Sequence, residues 1–242
     1  MDTTDLLWAS YFGLGALCTI AELVRPARKL RYAKAVPLDI VAFLAFQFAV
    51  FPLAAYVTDP VYRHLSLPES LLALWLPLRV VLFYLVADLG SYWMHRLMHT
   101  RHVWRVHRWH HSSERLYWLS GVRATLPQQI LFNLPFVVAI PLIADAPLWL
   151  GTAILIEVIA RNHWMHMNVT WRSNWIERVF VTPRYHHIHH SSDAKLHDGN
   201  YGSLFSIWDR LFGTYIDPDT TQPKKFGTGE PPRDPVLIAL GV

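Results

Sequence analysis

Histidine is concentrated in three short stretches of the chain. The first is a His-x-x-x-His motif formed by His95 and His99, and the other two are copies of His-x-x-His-His that begin at His107 and His186. Residues three or four apart on a helix share a face, so each stretch is expected to direct two or three imidazoles to one point. Neutral imidazole is the commonest transition-metal ligand in proteins. The spacing therefore predicts a metal site.

The number of histidines indicates more than one metal ion. His166 stands between the two His-x-x-His-His motifs and adds a ninth nitrogen to the eight that the motifs supply. Nine ligands exceed what a single ion needs, so we predict a two-metal centre. Its predicted ligands are His95, His99, His107, His110, His111, His166, His186, His189 and His190.

Other metal chemistries fit the sequence less well. A zinc peptidase has His-Glu-x-x-His with the glutamate as general base, and Arg96 occupies the glutamate position here. A bis-imidazole haem site would leave most of these histidines without a role. Cys18 is the only cysteine, so a thiolate cluster is excluded. Two other classes stay open: a membrane metal transporter or store without turnover, and a zinc-dependent membrane hydrolase with Glu114 as the nearest candidate base.

Five histidines lie outside the predicted ligand set, and they are His64, His102, His163, His187 and His197. His64 is expected in solvent and His102 in a structural or supporting position, and His197 is not assigned. His187 follows His186 directly and would point about 100° away from it on a helix. His163 lies one helical turn before His166 and stays an open candidate ligand.

Apolar helices must position these histidines. Hydrophobic residues make up 52% of the 242 residues and charged residues 17%, and eleven Trp with ten Tyr suit a protein that crosses two membrane–water interfaces. A membrane-spanning helix needs about 20 apolar residues. The predicted spans are 6–24, 36–57, 71–94, 126–144 and 147–164. The acidic flank of the first span favours an uncleaved membrane helix over a signal peptide.

Basic residues predict which side of the membrane holds the site. The segment 25–34 carries five Lys or Arg and no acid, and His95–Arg123 carries six arginines and one acid. By the positive-inside rule both segments are cytoplasmic, and five crossings place both histidine regions on that side. The net charge of +4 is accordingly assigned to an anionic membrane surface rather than to nucleic acid.

The remaining segments are expected to cover the site. Residues 95–125 and 165–217 are predicted to form a cytoplasmic helical cap, followed by a flexible tail at 218–242. Thr182 and Pro183 predict a helix start, with Thr as N-cap. Asp88 shares a helical face with His95 and His99, so it could orient an imidazole N–H or line a polar helix interface.

Two further motifs join the histidines: Asn200-Tyr201-Gly202 and the stretch WDRLFGTY at 208–215. Together, from about Asp88 to Tyr215, these motifs resemble the fatty acid hydroxylase/sterol desaturase superfamily of membrane di-iron oxygenases. Thr182-Pro183 and His166-x-Asn168 fit the same pattern. One departure is that Arg123 is followed by Ala-Thr-Leu-Pro, where the family pattern leads us to expect a His-Pro pair.

The resemblance implies a single all-α domain over 1–242, with four to five membrane spans and a cap holding a dinuclear site. It implies two iron ions (zinc is a possible substitute), O2 as co-substrate, and oxidation of a membrane lipid such as a fatty acyl chain or sterol, with hydroxylation favoured over desaturation. No Rossmann fingerprint or cysteine-ligated cluster is present, so electrons from NAD(P)H are expected through a separate carrier and reductase. The expected location is a bacterial inner membrane, with the metal site on the cytoplasmic side.

Overall fold

The computed structural model describes residues 2–229, and within them the regular structure is helical, with three isolated β-bridges and no strand. The long segments are α1 (Thr3–Val24), α2 (Tyr32–Ala45) continuing through a π-helical turn (Phe46–Val50) into α3 (Phe51–Arg63), α5 (Leu76–Met98), α7 (Leu126–Ala139) and α8 (Leu148–His166). The short helices are α4 (Glu69–Leu72), α6 (Trp104–His107), α9 (Pro183–His189) and α10 (Ile207–Leu211), and 3-10 turns lie at His110–Ser112, Trp118–Val122, Ile140–Ile143 and Ile176–Arg178. The predicted all-α class is confirmed.

Four helices are long and apolar enough to cross a membrane: Thr3–Val24, Tyr32–Arg63, Leu76–Met98 and Leu126–Ile143. Large apolar side chains stand exposed along them, among them Leu17, Phe48 and Val81. Such faces are stable in lipid but not in water. The four helices therefore indicate a membrane protein.

The fifth predicted span forms a helix, α8, which carries Glu157 and Arg161 and is not among the four apolar ones. Arg79, near the start of α5, donates to Asp145 at the turn before α8 (Nη1 to Oδ1 2.7 Å). The turn thus lies at the end of the bundle far from His95, whereas α8 ends at His166. α8 consequently returns along the length of the bundle.

Helix α5 begins inside the expected span 71–94, close to Pro77. The expected span 71–94 starts with the separate helix α4, and α5 begins at Leu76 with Pro77 in its first turn, where the fixed φ of proline suits a helix start. α5 packs closely against α7, since a Cβ on Gly90 would lie 2.7 Å from Cβ of Pro135. The apolar core of this pair includes Phe83 and Ala139.

The cap is built from the short helices and loops at the His95 end of the bundle. The structure differs from the predicted flexible tail at 218–229, which packs on the cap. Asp219 pairs with Arg184 (2.7 Å), and buried Phe226 lies under the guanidinium of Arg28 (4.1 Å). These contacts fix the segment because they tie it to two separate elements. The rest of the predicted tail, 230–242, lies outside the described residues.

Candidate metal centre

Nine histidines meet in two groups at the end of the bundle. In each group one ring nitrogen of every member lies within 4.8 Å of the corresponding nitrogens of the others. The five-histidine cluster contains His95, His99, His107, His111 and His189, and the four-histidine cluster contains His110, His166, His186 and His190. All nine predicted ligands are thus brought together, and among residues 2–229 no carboxylate joins either cluster.

Each His-x-x-His-His motif is divided between the clusters. In the first motif His107 and His111 enter the five-histidine cluster while His110 enters the other. In the second motif His186 and His190 enter the four-histidine cluster while His189 crosses over. Two imidazoles of each motif serve one point, as predicted, and the third joins the other cluster. In the second motif His186 and His190 are four residues apart and share a helix face, whereas His189 is rotated by about 60° from His186 and about 100° from His190.

Ring nitrogens converge in both clusters. The Nε2 atoms of His95 and His107 are 3.0 Å apart, as are those of His186 and His190, and Nε2 of His166 lies 3.2 Å from that of His186. Three further Nε2 atoms are buried without a hydrogen-bond partner: those of His99, His111 and His189. Buried polar atoms without partners are costly unless something else binds them. Converging imidazole lone pairs fit a metal ion in each cluster.

The other ring nitrogen is fixed by hydrogen bonds in five of the nine histidines. Nδ1–H donates to the Tyr201 carbonyl from His95 (2.8 Å), to Gln128 Oε1 from His107 (3.1 Å) and to the Gly199 carbonyl from His189 (2.9 Å). In the four-histidine cluster, His110 donates to the Arg123 carbonyl (3.3 Å) and His166 to the Asn162 carbonyl (2.8 Å). Because Nδ1 carries the proton, Nε2 presents its lone pair to the cluster.

Asp209 organises the loop that supports the five-histidine cluster. Its buried carboxylate accepts from the Tyr201 N–H (2.8 Å), the Gly202 N–H (2.7 Å) and the Thr214 hydroxyl (2.7 Å), and from the Tyr185 hydroxyl. These bonds hold the Tyr201 carbonyl against His95. The residue before Tyr201 has φ of 57°, a left-handed conformation that asparagine tolerates better than most residues. The two C-terminal motifs therefore act as a support for imidazoles.

The first two helices support the four-histidine cluster. Asp39 of α2 is fully buried and accepts from Arg123 Nε (2.5 Å) and the Tyr117 hydroxyl (2.8 Å). Arg123 in turn offers its carbonyl to His110. Gly121 lies directly against His166, where an added Cβ would be 2.5 Å from Nδ1. The 3-10 turn that carries these contacts is thus held in place from α2.

Glu22 near the end of α1 makes a second such link. It is buried and accepts from the backbone N–H groups of Trp118 (2.8 Å) and Asn168 (2.9 Å) and from the Tyr32 hydroxyl (3.1 Å). These donors belong to the segments on either side of the four-histidine cluster. Glu22 is buried because these backbone N–H groups need an acceptor.

Asp88 does not orient an imidazole. Its buried carboxylate accepts from the backbone N–H groups of Leu204 (2.8 Å) and Phe205 (2.9 Å) and from Trp208 Nε1 (2.9 Å). Arg161 of α8 lies 3.5 Å away. Of its two predicted roles, the polar helix interface is the one that the structure has.

The remaining histidines lie outside both clusters. His163 is buried but stacks on Trp118 (ring centroids 4.7 Å apart) instead of joining its neighbour His166. His187 is buried beside Phe226, at a centroid distance of 5.4 Å. His64 and His102 are exposed. Burial lowers the pKa of His99, and the backbone of His197 beside it opposes this shift.

Burial keeps the cap histidines neutral. It lowers the pKa of His107, His110 and His111 well below the usual histidine value, and neighbouring imidazoles lower it further. The same two causes lower the pKa of His186, His189 and His190. A neutral imidazole is the form that binds a metal ion.

Comparison with known proteins identifies the family. The model of the family described as Fatty acid hydroxylase matches residues 80–214, more than half of the chain. The chain belongs to the fatty acid hydroxylase family. This match includes all nine clustered histidines, together with Asp88, Gln128 and Asp209. Asp39 and Glu22 lie outside it.

Relatives in this family act on different lipids. The chain is 30% identical to an alkylglycerol monooxygenase of Danio rerio over 165 residues, which is 66% of this chain and 34% of the relative. It is 34% identical to an ornithine lipid hydroxylase of Rhizobium tropici (58% and 42% covered) and 30% identical to a lathosterol oxidase of Mus musculus (60% and 47% covered). The chain thus spans less than half the length of these curated relatives. No solved structure matches it.

Supporting residues were harder to predict than the family's histidines. Gln128 carried a weak signal, because an amide side chain in the first turn of an apolar helix needs a partner. Thr125 provides the N-cap of that helix, with its hydroxyl accepting from the Gln128 N–H (3.2 Å), so the departure from His-Pro still yields an ordered turn. The four other acceptors are backbone carbonyls, and these leave no residue-type signal.

Proposed function

We propose that this protein is an O2-dependent di-iron oxidoreductase that hydroxylates a C–H bond of a membrane lipid. The observation that carries the proposal is the pair of buried, all-imidazole clusters at one end of an apolar helical bundle. Five and four converging nitrogens suit two transition-metal ions. An aqueous-facing binding site would need neither the burial nor the bundle.

The metal ligands follow from the clusters. One ion would be held by His95, His99, His107, His111 and His189, and the other by His110, His166, His186 and His190. When bound, iron supplies a means of reducing O2 and of oxidising an unactivated C–H bond. We expect zinc to replace iron in overexpressed protein, because the bound metal follows supply as well as affinity.

The chain's own residues prepare this chemistry in two ways. Backbone carbonyls such as those of Tyr201 and Arg123 accept the Nδ1 protons of His95 and His110, and these bonds fix which nitrogen of each ring faces the metal. Burial of the clusters excludes water, which would otherwise intercept a strong oxidant. The apolar spans would align a lipid chain so that one carbon is presented, because positioning decides which methylene reacts.

The relatives support a lipid substrate. Their names specify an alkylglycerol, an ornithine lipid and lathosterol, and two of the three are named as a monooxygenase or hydroxylase. We therefore favour hydroxylation over desaturation for this chain. Electrons are proposed to come from NAD(P)H through a separate carrier and reductase that dock near the cap.

The membrane orientation is part of the proposal. The basic segment at 25–34, the histidine clusters and the cap face the cytoplasm of a bacterium, with α8 as the returning fifth helix. Reporter fusions at Lys34, Asp59, Arg115 and Asp145 test this. Lys34 and Arg115 should report cytoplasm and the other two the outside; the reverse pattern would overturn the orientation.

Labelled oxygen tests the reaction. Membranes containing the protein, NAD(P)H and the host reductase are supplied with ¹⁸O2, and their lipids are compared by mass spectrometry with those of a His110→Ala control. Hydroxylation places one labelled atom in the lipid product. Desaturation places the label in water and leaves a lipid two hydrogens lighter. Identical lipids in both samples, with two metal ions bound and reductase active, would refute the oxygenase proposal and favour a metal store.

A further inference from the structure

One side of the cap exposes large apolar side chains that a water-facing surface would not carry. Trp175 is 72% exposed and Leu211 67%. Others in the same part of the chain are Val179, Phe180 and Ile207. Exposed apolar side chains in such number indicate a surface that contacts a partner or a membrane.

The position of this surface along α5 favours the membrane over a protein partner. Two segments of the cap, 179–181 and 204–206, pair through Phe180 and Phe205, and we call them the cap edge. The cap edge is bound to the side chain of Asp88. Asp88 lies twelve residues after the start of α5 and ten before its end. At 1.5 Å per residue it is about 10 Å below His95, towards the middle of the bundle.

The cap edge also leaves no backbone donor for water. The N–H groups of Val181 and Ser206 bond across the pair to Leu204 (2.9 Å) and Val179 (2.9 Å). The N–H groups of Val179 and Phe180 bond to the Ile176 carbonyl (3.0 and 2.7 Å). The remaining two, on Leu204 and Phe205, are the ones that Asp88 accepts. All six donors are therefore satisfied within the protein, which meets the requirement that membrane depth places on backbone N–H groups.

A groove separates the cap edge from α5. Val80, Val81, Tyr84 and Leu85 line it on the helix, and Phe180, Leu204 and Phe205 line it on the cap, with Glu157 of α8 completing the wall. Its volume is about 290 Å³. Val81 and Leu85 are also exposed on the outer surface of the membrane-spanning helix, so the groove is continuous with that apolar surface.

We propose that the cap edge is immersed in the hydrocarbon of the membrane beside α5, and that an acyl chain of a bilayer lipid occupies the groove. Arg178 and Arg210 stand exposed next to the cap edge, where their charges suit the headgroup layer. The cap is then a partly membrane-embedded element, not the soluble one expected from the sequence. The proposal does not depend on the reaction, because it concerns only where the cap lies.

Spin labels can measure the depth of the cap edge. Single cysteines are introduced at Val179 or Leu211 in a Cys18→Ser background, with Val81 as the lipid-exposed reference and Lys195 as the water-exposed one. The labelled protein is reconstituted in phosphatidylethanolamine–phosphatidylglycerol bilayers. Labels at 179 and 211 should relax with O2 and resist a water-soluble nickel chelate, as the label at 81 does. A response matching the label at 195 would overturn the immersion of the cap edge.

Photocrosslinking tests the groove. The reconstituted protein receives a phospholipid with a photoreactive group in its acyl chain, and adducts are mapped by mass spectrometry. Adducts should fall on the peptides carrying Tyr84 and Leu204, and Val81→Trp, which fills the groove, should reduce them at least threefold. The control Val86→Trp adds the same bulk at an exposed position outside the groove and should leave them unchanged. Equal adducts in both variants, with unaltered metal content, would refute acyl-chain binding.

Discussion

The two histidine clusters differ in what holds them. The five-histidine cluster is supported by the Tyr201 and Gly199 carbonyls and by Gln128, all within the family match. In the four-histidine cluster, Asp39 of α2 positions the residue whose carbonyl His110 contacts, Arg123, and Glu22 of α1 holds the nearby backbone at Trp118 and Asn168. In the four-histidine cluster, Nδ1 of His186 and of His190 is also buried without a partner. The second cluster is therefore the less firmly oriented of the two.

This difference shows that the functional unit is larger than its recognisable motifs. The family match contains every clustered histidine but not the acids that brace one of the clusters. Removing α1 and α2 would leave the ligands in the chain while withdrawing Asp39 and Glu22 from them. The following predictions test whether the clusters can be weakened separately.

The largest effect is expected at His110 and His189, which join a different cluster from the rest of their motif. His189→Ala should weaken the five-histidine cluster and His110→Ala the four-histidine cluster, although each lies in the motif that mainly serves the other. Lipid oxidation should be lost. Each variant should bind about one metal ion per chain instead of two, because one neutral imidazole ligand of the affected cluster is removed. Elemental analysis of membrane-inserted protein measures this. His102→Ala, at an exposed position, is the control. Retention of two tightly bound ions in both variants would contradict the assignment.

Asp209→Ala is expected to have the next largest effect. It leaves the Tyr201 and Gly202 N–H groups and two hydroxyls without their acceptor, and each such loss costs about 1–3 kcal/mol. The free energy of unfolding of the cap should therefore fall by several kcal/mol. Thermal unfolding of the metal-loaded protein measures the change, and the five-histidine cluster should release its ion first. Wild-type stability would show that Asp209 is not the organiser of this loop.

Much of this arrangement was predictable from the sequence, and the failures have physical causes. Imidazole spacing picked out eight of the nine clustered positions, with His166 added from between the motifs, and hydropathy indicated the four apolar helices. Neither reveals which cluster a histidine joins, because that depends on the rotation of His189 by about 60° from His186 and about 100° from His190. The brace from Asp39 to Arg123 links residues 84 apart, and such pairing leaves no periodic pattern.

Two matched variants at supporting residues should each lower the metal affinity of one cluster, by a smaller amount. Gln128→Leu removes the acceptor for His107, and Asp39→Asn weakens the ion pair that positions the acceptor for His110. Loss of such outer contacts lowers metal affinity by roughly 10–100-fold. Chelator competition should show one weakened ion in each variant and two in the double variant. Weakening of the same ion by both substitutions would remove the proposed division between the clusters.

The smallest effect is expected at the far end of the bundle. Asp145→Asn weakens the pair with Arg79, and because the Asp145 side chain is 66% exposed the loss of stability should be small. Metal content should stay at the wild-type level. A change in metal content would show that the clusters respond to the α7–α8 turn, which the structure does not suggest.

The division of the motifs also has a consequence for the order of assembly during synthesis. Four ligands of the five-histidine cluster, from His95 to His111, leave the ribosome together, so that cluster lacks only His189 while the rest of the chain is still being made. The four-histidine cluster has a single member, His110, until the chain reaches His166 and then His186 and His190. One ion can therefore be captured early, as the first half inserts, whereas its neighbour must wait for α9 to close over both.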